Sequence, residues 1–333
     1  MRVAAAAVFL AAALLTGVLV GPVDLGALTV VHATFAHILG LHSPLSGADD
    51  AILWQLRLPR VVLGALVGGT LAAAGAAYQG VFRNPLADPY LLGAAAGAGL
   101  GATLVAAYAP GSGLSGDLLP LSAFAGAGVA VVAAYVLGRS VGAAGGPAAL
   151  ILAGVTVASF FTALQIFVQQ QHVDTVQQVY SWLLGRLSTA GWREVGIIAP
   201  YAFASWLILL GHRRLLDVLA VGDDEAAALG VNVGRVRLLV VVAATIATAA
   251  AVAVAGLIAF VGIIVPHTIR LLFGGSYRLL LPLSVIVGAG FLVFADVIAR
   301  TVMSPAELPI GVVTAFFGAP FFAVILRTSR RPA

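Results

Sequence analysis

Apolar runs long enough to cross a bilayer recur along the chain, separated by short polar, proline-containing or arginine-bearing stretches. The first, Val3–Val20, follows Met1-Arg2 and reads as a retained helix. It is longer than a signal-peptide core, and no small-residue cleavage site precedes Pro22. Further runs cover 61–81, 91–109, 119–138, 148–169, 194–211, 238–257, 258–273, 279–298 and 310–326, so the pattern predicts ten membrane helices with both termini on one side. The division of 238–273 into two spans rests on Gly256 and Gly262 alone. No run shows the period-two alternation of an outer-membrane strand, which leaves an all-α polytopic bundle. Residues 22–56 are mixed and are expected to form interfacial turns outside the cytosol.

Composition agrees. Hydrophobic residues make up 61% of the 333, charged residues only 9%, and the mean hydropathy is +1.09, too little polar surface for a soluble domain of this size. The chain has no cysteine, which excludes disulfides and thiolate metal sites. It also has no lysine, all 17 basic residues being Arg, so it cannot supply a Walker-type phosphate loop. If ATP drives it, a partner subunit binds the ATP. No basic cluster with interleaved aromatics occurs, so nucleic acid is not an expected partner. Gly and Ala crowd the spans, as at Gly68-Gly69 and Gly75, and small residues let helices pack closely. The run GAGLGA at 97–102 imitates a dinucleotide fingerprint but lies in a hydrophobic span with no preceding strand.

Arginine sets the orientation. With ten spans, twelve arginines fall on the side of Arg2 and five on the other, which predicts a cytosolic location for both termini. On that side lies the polar stretch 212–237, with eight charged residues between two hydrophobic spans. Within it Asp223, Asp224 and Glu225 begin a short helical pattern that stops at Leu229-Gly230. Acids complement a helix N-terminus and Gly commonly follows a helix end, so a capped knob exposed to a soluble partner is one reading and an ordinary solvated loop the other.

Other segments invite a function. In QGVFRNPLADPY (79–90) two prolines bar a continuous helix, and a broken backbone at membrane depth is tolerated only inside protein or beside water, so a gate and a plain hairpin are both open. Arg57 and Arg60 at the outer end of the second span, with Arg300 at that of the ninth, either snorkel to the interface or dock an acidic partner. Asp296, one turn before Arg300, is placed to pair with it. Gln165, Gln169, Gln170 and Gln171 make the fifth span's end polar, suiting either a vestibule or a wet helix end. His32, His37 and His42 recur every five residues, a step that puts them on different helix faces, so no metal site is expected. His267 has no acid or Ser beside it, and no catalytic set emerges. An ion-coupled secondary transporter would want a membrane-buried carboxylate or His as its coupling site, and Asp296, the only acid near a span interior, is placed to pair with Arg300.

Taken together, LWQLRLPR (53–60), QGVFRNPLADPYLLG (79–93), LILAGV (150–155), WLLGRL (182–187), ALGVN (228–232), GLIAFVGIIVPHTIRLLFG (256–274), ADVIAR (295–300) and ELPIGVVTAFFGAPFF (307–322) resemble, in order, the permease subunits of FecCD/BtuC-type ABC importers. The resemblance implies one permease domain over 1–333 with ten helices in the cytoplasmic membrane. It further implies a second permease subunit, expected as a homodimer, two cytosolic ATPase subunits and an extracytoplasmic substrate-binding protein. The cargo would be a ferric siderophore, with haem or cobalamin next. No catalytic, metal or covalent cofactor site is implied, ATP being used by the partner. Arg57, Arg60 and Arg300 would dock the binding protein. Asp223, Asp224, Glu225, Leu229 and Gly230 would form the coupling region. Asn84 and Leu86 would form a cytosolic gate, with a second in the loop holding Gly146 and Pro147. Phe160, Phe161, Gln165 and Thr314, on the fifth and tenth helices, would line the pathway.

Overall fold

The computed structural model describes residues 2–109, 115–140, 146–188 and 191–328. It contains helices α1 (Arg2–Leu19), α2 (Ala27–Ile38), α3 (Gly47–Ala51), α4 (Leu58–Phe82), α5 (Ala94–Tyr108), α6 (Ser115–Ser140) and α7 (Gly146–Gln171). After them come α8 (Val176–Leu183), α9 (Trp192–Gly211), α10 (Arg213–Val221), α11 (Asp223–Ala228), α12 (Val233–Ala255), α13 (Val261–Phe273), α14 (Tyr277–Thr301) and α15 (Ile310–Thr328). Seven helical spans among the described residues are long and apolar enough to cross a membrane, and three shorter apolar helices, in α5, α13 and α15, complete the ten that the hydrophobic pattern predicts.

The bundle is arranged around α4, whose span is 89% buried where that of α1 is 17% buried. Small residues make this possible. A Cβ on Gly68 would collide with the Gly288 carbonyl of α14, and one on Gly75 with the Gly262 carbonyl of α13, so both helices sit against α4 at backbone contact. The buried hydroxyl of Tyr78 pairs with Thr245 of α12 at 2.8 Å, which removes the cost of a polar group in the core.

Two places depart from the sequence pattern. Residues 22–56 are not only turns: α2 starts after Gly26, whose φ of 75° Gly alone adopts freely, and buries Val30 and Ala33 against Leu25 and Leu53. His37 of α2 lies 3.3 Å from Asp50 and 4.4 Å from the Trp54 ring, and no metal-binding group occurs among the described residues. Helix α3 then continues into α4 through a π-helical turn, Ile52–Arg57, in which the Leu58 N–H reaches back five residues to the Leu53 carbonyl. Pro59 next to it has no N–H to donate and its ring would crowd an ordinary helical carbonyl, so the wider turn absorbs the proline.

The division between α12 and α13 falls where the glycines suggested. Residues 256–259 are unwound, with positive φ at Gly256 (71°) and at Phe260 (70°). The freed backbone is not left bare: the Arg186 N–H donates to the Ala255 carbonyl at 2.9 Å, and the Tyr90 hydroxyl both donates to the Ile258 carbonyl and accepts from the Ile258 N–H, each at 3.2 Å. Buried backbone polar groups inside a membrane protein require such partners.

Candidate functional site

The two ends of α4 each carry a charged cluster. At its N-terminal end Arg60 holds Asp296 of α14 with two nitrogens, Nε at 3.0 Å from both oxygens and Nη2 at 2.8 Å, while Nη1 reaches Glu307 at 2.7 Å. Arg57 turns inward and donates to the carbonyls of Val18 (3.1 Å), Leu19 (3.3 Å) and Val23 (2.7 Å), where α1 ends. Arg300 donates to the Gly17 carbonyl at 2.5 Å and places Nε 3.6 Å from Asp296. Arg57 is 4% exposed and Arg300 2%, so both point into the chain, Arg300 with its Nε lacking a hydrogen-bond partner, and only the Arg60–Glu307 edge reaches the surface. Asp296, placed by spacing beside Arg300, is instead held mainly by Arg60. Arg60, Asp296, Glu307 and the 184–188 turn surround a cavity of about 190 Å³.

At the other end, α4 stops at Arg83, a non-glycine residue at φ 50°. Asn84 then turns the chain: its N–H donates to the Gln79 carbonyl at 3.1 Å, and its side chain accepts the Leu86 N–H at 2.9 Å. Leu86 is exposed. The Asp88 side chain accepts the Tyr90 N–H at 2.7 Å; burial pushes its carboxyl up to about 6, against the opposing pull of that hydrogen bond. Pro89 packs on Gly262, and Tyr90 joins the unwound 256–259, so the turn folds back against the break between α12 and α13.

Beside this turn stands the polar stretch 212–237. In α10, Leu216 and Leu219 are buried, and Asp217 caps α14 by accepting the Tyr277 N–H (2.6 Å) and the Ser276 hydroxyl (2.9 Å). In α11 the acids Asp223, Asp224 and Glu225 form the first turn. The helix closes with Val231 N–H on the Ala226 carbonyl (3.0 Å) and Gly230 N–H on the Ala227 carbonyl (2.9 Å), Gly230 taking φ 80°. That paired pattern is a Schellman cap, and it fixes the knob's shape. Asp223 accepts from Arg237 Nη2 on both oxygens at 2.9 Å and lies 3.5 Å from Arg83. One carboxylate thus ties α11 to α12 and to the turn carrying Asn84 and Leu86. Asp224 and Glu225 face outward, and Leu229 at the tip is 73% exposed. Arg2 donates to the Phe273 carbonyl at 3.2 Å, which puts the start of the chain at this same end.

The expected pathway residues divide. On α7, Phe160 is 60% exposed and Phe161 half-buried, whereas Gln165 is buried against Gly99 of α5. Thr314 of α15 is fully buried, and its hydroxyl donates to the Gly311 carbonyl at 3.1 Å. Gln170 and Gln171 are exposed in the last turn of α7. Gly146 and Pro147 open α7 rather than sitting in a loop, and 141–145 before them lie outside the described residues. His267 stands edge-on to Phe321 of α15 at 6.0 Å, a structural contact. Sequence reasoning assigned no role to Arg83, Arg237 or Tyr90; the first and third lie inside the 79–93 motif, where they carried a signal, but their partners are distant in sequence.

Comparison with known proteins fits this arrangement. The model of the FecCD transport family matches residues 9–328. The cobalamin import system permease protein BtuC of Halobacterium salinarum is 37% identical over 306 residues, 92% of this chain and 81% of that one. The Fe(3+) dicitrate transport system permease protein FecD of Escherichia coli is 38% identical over 278 residues, 83% of this chain and 85% of that one. Among solved structures, an inward-facing chain assigned to the metal-chelate type of ABC transporter superposes with a TM-score of 0.81 at 28% identity, covering 97% of both chains.

Proposed function

This chain belongs to the FecCD transport family, and on that premise we propose that it is the membrane conduit of a binding-protein-dependent importer for a bulky metal chelate, with a ferric siderophore ahead of haem or cobalamin. Residues 1–333 form one permease domain in the cytoplasmic membrane, with both termini and the 212–237 loop in the cytosol. Two copies enclose the pathway between their α7 and α15 helices, where Phe160 and Phe161 meet the cargo and Gln165 and Thr314 brace the helices that carry them. The chain holds no cofactor of its own; ATP is bound and hydrolysed by two soluble subunits beneath it.

The observation that supports this most is the α11 knob. It exposes Leu229 and two acids yet is tied through Asp223 to Arg83, at the start of the turn that carries Asn84 and Leu86. A push on the knob therefore reaches that turn without passing through flexible chain, and the turn, together with the segment at Gly146 and Pro147, closes the cytosolic side of the pathway. At the opposite end Arg60 and Glu307 form the edge on which an extracytoplasmic binding protein docks, with Arg57 and Arg300 bracing it from below. An ion-coupled carrier is disfavoured because Asp296, the acid such a mechanism would titrate, is held by Arg60 and Arg300.

The test is uptake into liposomes holding the permease with its ATPase subunits. Ferric hydroxamate should accumulate only with ATP inside and binding protein outside, and reversing Arg60 to Glu should abolish this binding-protein-stimulated uptake while the ATPase subunits still co-purify with the permease. Accumulation driven by a proton or sodium gradient in the permease alone would overturn the assignment.

A further inference from the structure

The flank of the bundle where α6, α9 and α12 meet carries a groove of about 640 Å³ that the transport reading leaves unused. Its α12 wall is a single stripe, Leu238, Leu239, Val242 and Ile246, and the first three of these are 39%, 40% and 46% exposed. Tyr201 and Ile208 of α9 form the facing wall, and Phe124 of α6 meets Tyr201 at 5.3 Å between ring centres. Between Arg235 and Ile246 the only polar side chains among the described lining residues are Tyr201, which also presents its ring, and the buried Ser205, so water gains few partners there and a hydrocarbon chain fits.

At one end of the stripe stands Arg235, exposed, its guanidinium making no ion pair among the described residues. The contrast with its neighbour is direct: Arg237 is taken by Asp223, and Arg235 is left facing the groove mouth. Arg213 and Arg214 follow within three residues of the end of α9 at Gly211, but of the described arginines only Arg235 lines the groove. From Arg235 to Ile246 the helix rises about 16 Å at 1.5 Å per residue. That equals one leaflet of a hydrocarbon core roughly 30 Å thick. A cation at the depth of the headgroups, above an apolar channel one leaflet long, is the chemistry of a lipid site and not of a soluble anion site.

We propose that this groove holds one acyl chain of an anionic phospholipid whose phosphate sits on the Arg235 guanidinium. The charge selects anionic over zwitterionic headgroups, and the bound chain seals α9 to α12 just below the loop that carries α10 and α11.

The assignment is tested on the full chain assembled with its ATPase subunits in nanodiscs of equal phosphatidylglycerol and phosphatidylcholine, then extracted and weighed by native mass spectrometry. One phosphatidylglycerol should remain per permease chain, in about fivefold preference over phosphatidylcholine, the discrimination expected of one cation at the headgroup level. Arg235→Gln should abolish that preference while leaving the assembly intact. Ala204→Trp, an exposed position on the groove wall, should lower retention of both lipids. Equal retention of the two lipids by the unaltered chain overturns the proposal, as does retention unchanged in both variants, which would mark ordinary annular lipid. Because the chain has no cysteine, Val242→Cys supplies a unique thiol, and a disulfide joining two permease copies through it would identify the groove as a protein interface and overturn the lipid assignment.

Discussion

The two ends of α4 use the same chemistry, arginine against carboxylate, to opposite effect. Around Arg60 the charges are sunk into the protein: the Asp296 side chain is 3% exposed, Arg60 12%, and every donor of Arg57 found in a hydrogen bond goes to a main-chain carbonyl. Around Arg83 the charges are wet: the Asp223 side chain is 37% exposed and Arg83 35%. A buried ion pair cannot open without stranding a charge in a medium that solvates it poorly, so the first cluster is a fixed joint. A half-exposed pair exchanges for water and counter-ions at little cost, so the second can open and close during a transport cycle.

The strongest attack on this contrast removes one partner of the fixed joint. Asp296→Ala should lower the stability of the assembled complex by roughly 3–5 kcal/mol, because buried Arg300 loses the acid beside it and Arg60 keeps Glu307 alone. Thermal unfolding of the detergent-solubilised complex reads this directly, and a loss no larger than that of Asp223→Ala would erase the distinction between the two ends. The turn at the wet end should respond to pH. The Asp88 carboxyl sits near 6 in the folded chain, above its ordinary range, so folding favours its protonated form. That favourable share is present at low pH and is lost as pH rises through about 6. Asp88→Asn, which still accepts the Tyr90 N–H, should therefore stabilise the complex by on the order of 1 kcal/mol at pH 8, with the benefit shrinking as pH falls and gone below the ordinary carboxylate range.

Asp223→Asn should cost no more than about 1 kcal/mol of stability, and less at high salt. Its effect belongs in coupling: ATP hydrolysis should continue while uptake per ATP falls, and an unchanged ratio would remove Asp223 as the link between α11 and the Asn84 turn. Leu229→Ser should be the quietest substitution in stability, within about 0.5 kcal/mol, since its side chain already faces solvent. It should still weaken association with the ATPase subunits, measured by co-purification. Together the last two separate holding the knob in place from touching what lies beyond it.

Much of the fold was legible because its signals are local. Ten apolar runs, the Gly256 break, and the acids and Gly230 that bound α11 each follow from residues near in sequence, and the structure has them where the pattern put them. The candidate site was legible in position but not in orientation. Spacing put Arg300 one turn from Asp296, yet Asp296 lies against Arg60, 236 residues away, because a bidentate pair across α4 and α14 outweighs an oblique contact within one helix. Arg57 likewise turns toward the end of α1, a choice fixed by backbone carbonyls that no side-chain pattern records. The helix at 27–38 escaped for a related reason: its buried face is a narrow line of Val30, Ala33 and Ala36 among exposed apolar positions such as Leu28 and Phe35.

The shortness of α13 bears on how the chain is made. Its 13 residues extend only about 20 Å, well under the thickness of the apolar slab, so no ribosome-bound segment of that length would be accepted as a span by itself. Its entry must be chaperoned by α12, the most apolar of the long helices described, and be made permanent once Gly75, synthesised long before, has closed on Gly262 and Tyr90 on the break that precedes it. Biogenesis of this transporter is then order-dependent, and a lesion at Tyr90 would show first among newly made chains, as misthreaded polypeptide cleared by quality-control proteolysis, before any mature molecule had the chance to fail.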